Sequence, residues 1–125
     1  MIAQAGTDPM PWATIAVLTA TMTVGGIVVA YIGRRGVAGT LRRNRLAGIR
    51  TRATMRSDAA WAAGHRAGGG LLVIAGVLMA LAGLALLARP SNVVGMAITL
   101  GAGGVVLVLA LVSTVQANRA ARAVE

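Results

Sequence analysis

Three long apolar runs separated by polar segments dominate the pattern of the chain, at residues 11–32, 69–88 and 93–115. Each run holds 20 residues or more, and 20 helical residues rise about 30 Å, which matches the hydrocarbon core of a bilayer. Hydrophobic residues make up 57% of the chain and charged residues only 12%. The pattern therefore predicts an all-α membrane protein with three transmembrane helices.

The polar segment between the first two runs, residues 33–68, predicts a basic loop that contains one short helix. Gly48 indicates a turn. Thr54 or Ser57 is suited to cap a helix over about 55–67, because a hydroxyl can accept a hydrogen bond from the first free backbone N–H groups. We expect this short helix to lie at the membrane interface.

Three side chains of that short helix fall on one face, because Asp58, Trp61 and His65 follow the spacing i, i+3, i+7. Asp58 in the first turn suits the positive end of the helix dipole. A tryptophan on such a helix favours the headgroup region of the bilayer. We therefore expect Trp61 to lie at the membrane surface.

The distribution of arginines predicts the orientation. All twelve basic residues are arginine, and the net charge is +9. Nine lie in the loop 33–68 and two in the polar tail 116–125, whereas Arg89 alone lies in the connection between the second and third runs. Loops rich in arginine stay on the cytoplasmic side. We predict one domain over 1–125, with the N-terminus outside and both the loop and the tail in the cytoplasm.

Small residues recur along the apolar runs at spacings that allow close helix contact. In the second run, glycines repeat every seven residues, and other small residues lie four apart. We predict helix packing at Gly26, Ala30, Gly69, Gly76, Ala80, Gly83, Ala97 and Gly101.

The most specific signal is a set of polar and aromatic residues in the loop. Their order is N-x-x-x-G-I-R-T-x-x-T followed by W-x-x-x-H-R. The residues concerned are Asn44, Gly48, Arg50, Thr51, Thr54, Trp61, His65 and Arg66. Over residues 44–66 the chain resembles the SdpI family of small bacterial membrane proteins.

That resemblance implies a protein of the bacterial plasma membrane associated with immunity to a membrane-active toxin peptide. It also implies a role in signalling, in which a transcriptional repressor is held at the membrane. Family members often carry more membrane segments than the three predicted here. The motif residues, with Asp58, either bind a partner or only organise the loop, and the sequence leaves both interpretations open.

Candidate chemistry is sparse. The chain has one histidine and no cysteine, whereas a zinc site needs three or four ligands. The pair formed by Asp58 and His65 has no nucleophile at a set position. We therefore predict no catalytic residue, no metal site and no cofactor. Nucleic-acid binding is disfavoured because the loop holds a single aromatic residue beside its arginines.

Two hypotheses about function follow. In the first, the protein binds a toxin peptide or a cytoplasmic regulator through its loop. In the second, it is an accessory or structural subunit of a larger bacterial membrane complex, and its helix faces contact the other subunits. Both include a bilayer with anionic headgroups, which attract the arginines of the loop.

Overall fold

The computed structural model describes residues 2–124 and is built from helices. A short helix α1, Ile2–Thr7, precedes three long ones: α2, Trp12–Val37, α3, Asp58–Ala85, and α4, Asn92–Arg122. Two 3-10 turns, Thr54–Arg56 and Leu86–Ala88, flank α3. The three long helices are each long and apolar enough to cross a membrane. The protein is thus an all-α, multi-pass membrane protein, as the apolar runs predict.

Helix α3 is the centre of the bundle. It packs against α2 on one side and α4 on the other, whereas α2 and α4 have little direct contact. The helices alternate in direction, so the loop 38–57 and the last turns of α4 meet at one end, here called the loop end. Residues 2–11 and 86–92 meet at the opposite end, here called the turn end.

All three helices extend past the apolar runs at the loop end. Helix α2 continues five residues beyond 32, α4 seven residues beyond 115, and α3 begins eleven residues before 69. At 1.5 Å per residue, the 28 residues of α3 rise about 42 Å. Hydropathy detects only the part of a helix that is apolar enough to lie in lipid. The helix itself can continue beyond that part when no residue breaks it.

The prediction of a separate interfacial helix over 55–67 is wrong in detail. Residues 54–56 form a 3-10 turn, and Asp58 begins a helix that continues without interruption to Ala85. Ser57 caps this helix, because its hydroxyl oxygen accepts a hydrogen bond from the N–H of Ala60 at 3.0 Å. Residues 58–67 are therefore the first turns of the second long helix.

Glycines bring α2 and α3 into backbone contact. A Cβ added at Gly76 would lie 2.4 Å from the nitrogen of Ala30 and 2.4 Å from the carbonyl oxygen of Gly26. A Cβ at Gly26 would lie 2.6 Å from the nitrogen of Ala80. Gly69 approaches Gly33 in the same way, and Gly83 approaches Met22 and Thr23. Six of the residues predicted to pack therefore lie at one interface.

Helix α4 uses different residues to contact α3. A Cβ at Gly68 would lie 2.7 Å from the carbonyl oxygen of Ser113, and the Ser113 hydroxyl donates a hydrogen bond to the Gly68 carbonyl at 2.8 Å. Ala97 is exposed, and a Cβ at Gly101 would meet nothing within 4 Å. These two predicted packing residues make no such contact within the part of the chain that the structure describes.

The turn end is closed by the segment before α2. The N–H of Met10 donates to the Pro90 carbonyl at 3.0 Å, and the N–H of Asn92 donates to the Asp8 carbonyl at 2.8 Å. The buried residues Met10, Ile15, Met22 and Leu86 form an apolar cluster beneath these hydrogen bonds. This end holds a single arginine, Arg89.

Candidate functional site

The aromatic residues of the motif are buried at the loop end. The rings of Trp61 and His65 lie 3.9 Å apart between centroids, tilted by 32°. Trp61 is only 2% exposed and its indole N–H donates to the Leu41 carbonyl at 2.8 Å. The expectation that Trp61 lies in the headgroup region is therefore wrong, because the loop folds over its ring.

Gly48 lies directly over these two rings. Its φ of +110° is rare for residues with a side chain. A Cβ at this position would lie 2.6 Å from His65 Nε2 and 2.9 Å from the edge of the Trp61 ring. The motif needs glycine here both for the backbone conformation and for the close contact.

His65 joins the loop to α3. The N–H of Ile49 donates to His65 Nε2 at 2.8 Å, so this nitrogen carries no proton. His65 Nδ1 lies 2.9 Å from the Trp61 carbonyl oxygen and donates to it. Both ring nitrogens are thereby used by the neutral imidazole. His65 is 1% exposed and holds the loop backbone from within.

Thr54 fixes the next part of the loop. Its side chain is fully buried, and its hydroxyl donates to the Ile49 carbonyl at 2.7 Å and accepts from the N–H of Thr51 at 2.9 Å. The Thr51 hydroxyl donates to the side-chain oxygen of Asn118 in α4. The two threonines therefore connect the loop to itself and to the last helix.

Asn44 shapes the beginning of the motif. Its side-chain oxygen accepts hydrogen bonds from the N–H groups of Leu46 and Ala47, at 2.9 and 2.8 Å. Its side-chain nitrogen donates to the Arg42 carbonyl at 2.8 Å. Such bonds from asparagine to the following backbone stabilise tight turns. Both polar side-chain atoms of Asn44 therefore have hydrogen-bond partners within the loop.

Two arginines attach the loop to the helix ends. Arg43 contacts Asp58 at 3.0 Å and donates to the Met55 carbonyl at 2.9 Å. Arg56 donates to the Ala121 carbonyl at 2.8 Å and also to the Val124 carbonyl. The last carbonyls of a helix have no intrahelical partners, and a cation there suits the negative end of the dipole. Glu125, the last residue of the predicted tail, lies outside the described residues.

Arg50 and Arg66, the two arginines of the motif, have exposed side chains. Arg50 donates to the Arg45 carbonyl. The guanidinium of Arg66 lies close to Gly39, which has a φ of +74° in the turn after α2. The motif therefore divides into buried residues that fold the loop and arginines on its surface.

Several contributors were not predicted from the sequence. They include the Leu41 carbonyl, Arg56, Asn118 and the close approach of Gly64 to Ala117. Gly64 and Gly68 are spaced four apart, like the small residues that were noted, and this spacing could have indicated the α4 contact. The bonds of Asn118 and Arg56 join distant parts of the chain, so no local pattern marks them.

Histidine and carboxylate side chains are not clustered at this site. Across residues 2–124, no group of three or more histidine, aspartate or glutamate side chains is close enough to hold a metal ion. His65 is enclosed by the loop, and both of its nitrogens already have backbone partners. The arrangement is suited to holding a loop in one conformation.

The buried histidine makes the stability of the loop depend on pH. His65 lies in α3 before the apolar run begins, and burial lowers its pKa below the ordinary value of 6.5, although its hydrogen bond to the Trp61 carbonyl opposes this. The unfolded state therefore binds more protons than the folded state once the pH falls below about 6.5. We expect the free energy of unfolding to have its full value above that pH. Below it, the free energy should fall by up to about 1.4 kcal/mol per pH unit.

Reversible unfolding in mixed micelles between pH 8 and pH 5 measures this effect. His65→Gln, which keeps a possible acceptor for the Ile49 N–H but does not titrate, is the matched control and should show a smaller slope. Equal slopes for both proteins would contradict the role assigned to His65.

The family comparison covers the residues of this site. The model of the SdpI/YfhL protein family matches residues 40–116, which is more than half of the chain and includes the whole motif, α3 and most of α4. Neither the curated proteins nor the solved structures gave a match. Together with the three apolar helices, the match identifies the chain as a member of the SdpI/YfhL family of membrane proteins.

Proposed function

We propose that this protein is a non-enzymatic immunity or signalling protein of the SdpI type, which binds a partner through its loop end in the bacterial cytoplasm. The membrane location and the family are the foundation of this proposal. The partner is a toxin peptide or a cytoplasmic regulator. The N-terminus lies outside the cell, and the loop and the C-terminal tail lie inside.

The observation that carries the proposal is an arginine surface supported by a buried network. Trp61, His65 and Thr54 hold the loop backbone from below. The surface consists of the exposed loop arginines other than Arg34, which lies in the last turn of α2, and Arg56, which binds the end of α4. Its six members are Arg42, Arg43, Arg45, Arg50, Arg52 and Arg66. Because the backbone that carries these side chains is already ordered, binding a partner costs less conformational entropy.

The charge distribution supports the orientation. The loop and the end of α4 meet through Arg56, so nine loop arginines and two tail arginines belong to one end of the molecule. The turn end has Arg89 alone. Each arginine at the centre of a bilayer costs about 2.5–3.5 kcal/mol on insertion scales, so carrying the loop end across is strongly disfavoured.

A survival assay tests the binding role. The variant R42Q/R45Q/R52Q removes three surface charges that are not in the buried network. The matched control, R34Q/R119Q/R122Q, removes three exposed charges from the last turns of α2 and α4, which also lie at the loop end. In cells expressing equal amounts, we expect the loop variant to lose protection against a membrane-active peptide toxin and the control to keep it. Full protection by both would contradict a loop-binding role, and no protection by the wild type would contradict immunity.

The second candidate is an accessory subunit of a membrane complex, and the exposed face of α4 favours it. Added Cβ atoms at Gly101, Gly103 and Gly104 meet nothing within 4 Å, so a second helix has room to approach closely there. A stoichiometric complex in mild detergent that survives R42Q/R45Q/R52Q but is lost in Gly104→Leu would support this role. Loss in the loop variant alone would support the first.

A further inference from the structure

A short apolar groove opens between α2 and α4 at the loop end. It exists because both helices pack on α3 and have little direct contact with each other. The groove has a volume of about 540 Å³, which is in the range of small-molecule sites. Leu72 of α3 lies at its base, and the loop residues 46–51 line its remaining side. Its walls are Val28 and Ile32 on one side and Ala110 and Thr114 on the other.

The size of the groove favours an occupant narrower than a helix. The lining residues extend over about one turn of α2 and one turn of α4, which is about 6 Å along the bundle. A helix with its side chains is about 10–12 Å wide, so three turns fill roughly 1,500 Å³. The groove therefore accommodates a flexible chain or a single side chain far better than a transmembrane segment.

The loop side of the groove combines an arginine with an exposed leucine. Arg50 lines the groove and is exposed, and one of its five N–H groups donates to the Arg45 carbonyl. The remaining donors can bind phosphate in the bidentate manner typical of arginine. Next to it, Leu46 is 92% exposed, the highest exposure of any large hydrophobic side chain in residues 4–124. A leucine so exposed is favourable in lipid and unfavourable in water.

From these features we infer that the groove binds one anionic phospholipid of the leaflet on the loop side. A segment of one acyl chain lies in the groove against Leu72, the phosphate contacts Arg50, and Leu46 packs along the chain. The apolar walls match the hydrocarbon and the positive charge at the loop matches the headgroup. Since the groove and the surface arginines use different residues, except for Arg50, this site is separable from the proposed binding of a protein partner.

Native mass spectrometry of the full chain tests the inference. The protein is released from micelles that contain equal amounts of phosphatidylglycerol and phosphatidylcholine. We expect the wild type to retain one phosphatidylglycerol in preference to phosphatidylcholine. Arg50→Gln should reduce that preference about fivefold, the effect of one arginine near a surface charge. Ala110→Leu, which fills the groove without changing charge, should reduce retention of both lipids.

Two controls separate this site from general lipid attraction. Arg122→Gln removes a charge at the same end of the bundle but does not line the groove, and Ala20→Leu adds the same bulk to an exposed position on α2. Both should retain lipid like the wild type, and circular dichroism should show equal helicity in all variants. An equal loss in Arg122→Gln, or full retention in Ala110→Leu, would overturn the inference. The inference would also be overturned if the wild type is a dimer and Ala110→Leu makes it a monomer without changing the amount of bound lipid.

Discussion

Replacing Gly48 by alanine is expected to lower the free energy of unfolding by about 3 kcal/mol or more, because two costs add at this position. The backbone has a φ of +110°, and holding a side chain in such a conformation costs about 1–3 kcal/mol. The new Cβ would also lie 2.6 Å from His65 Nε2, so the ring or the loop must move. A displaced loop loses the hydrogen bond between Ile49 and His65.

Gly39→Ala is the matched control, since Gly39 also has a positive φ, of +74°. Its added Cβ would meet only the flexible end of Arg66, at 3.1 Å. We expect this variant to show the conformational cost alone. The measurement is reversible unfolding in mixed micelles, followed by the fluorescence of Trp61 in a Trp12→Phe background. Equal losses for the two variants would mean that contact with the rings contributes nothing.

The second large effect is expected at the contact of α2 with α3. In Gly76→Ala, the added methyl would lie 2.4 Å from backbone atoms of both Gly26 and Ala30. Backbone cannot rotate away as a side chain can, so the two helices must separate. Overpacking of this kind typically costs about 1–3 kcal/mol. Because the clash is with backbone, we expect the free energy of unfolding to fall by an amount near the upper end of that range.

The control for this variant is Gly103→Ala on α4, where an added Cβ meets nothing within 4 Å. Alanine favours a helix over glycine by about 1 kcal/mol, so this change should leave stability equal or slightly higher. Unfolding of both variants under the same detergent conditions gives the comparison. A Gly76→Ala protein as stable as the wild type would show that the close approach of the two helices is not required.

The number and order of the long helices could be predicted from the sequence, but their lengths could not. Apolar runs identify the lipid-covered part of each helix, and 93–115 lies wholly within α4. The added turns carry polar residues such as Arg34 and Arg119, which are good helix formers but contribute no hydropathy signal. The same limitation made residues 58–67 look like a separate helix, although α3 passes through them without a break.

The motif could be found in the sequence, whereas the roles of its residues could not. Spacing placed Trp61 and His65 on one face of a helix, and that face is buried under the loop rather than turned to the membrane. The burial depends on Gly48, which is thirteen residues before Trp61 and seventeen before His65, and on the backbone carbonyl of Leu41. A local pattern contains no information about which loop backbone folds over which ring.

Cysteine labelling in intact cells tests the central claim most directly, namely that the arginine-rich loop end lies in the cytoplasm. The natural chain has no cysteine, so one introduced thiol is the only one to react. Ala5→Cys lies near the turn end and Ala59→Cys near the loop end, both at exposed positions. With a maleimide that does not cross membranes, we predict labelling at position 5 in intact cells and at position 59 only after permeabilisation. Labelling at position 59 in intact cells, with position 5 protected, would contradict the orientation and the cytoplasmic binding surface that depends on it.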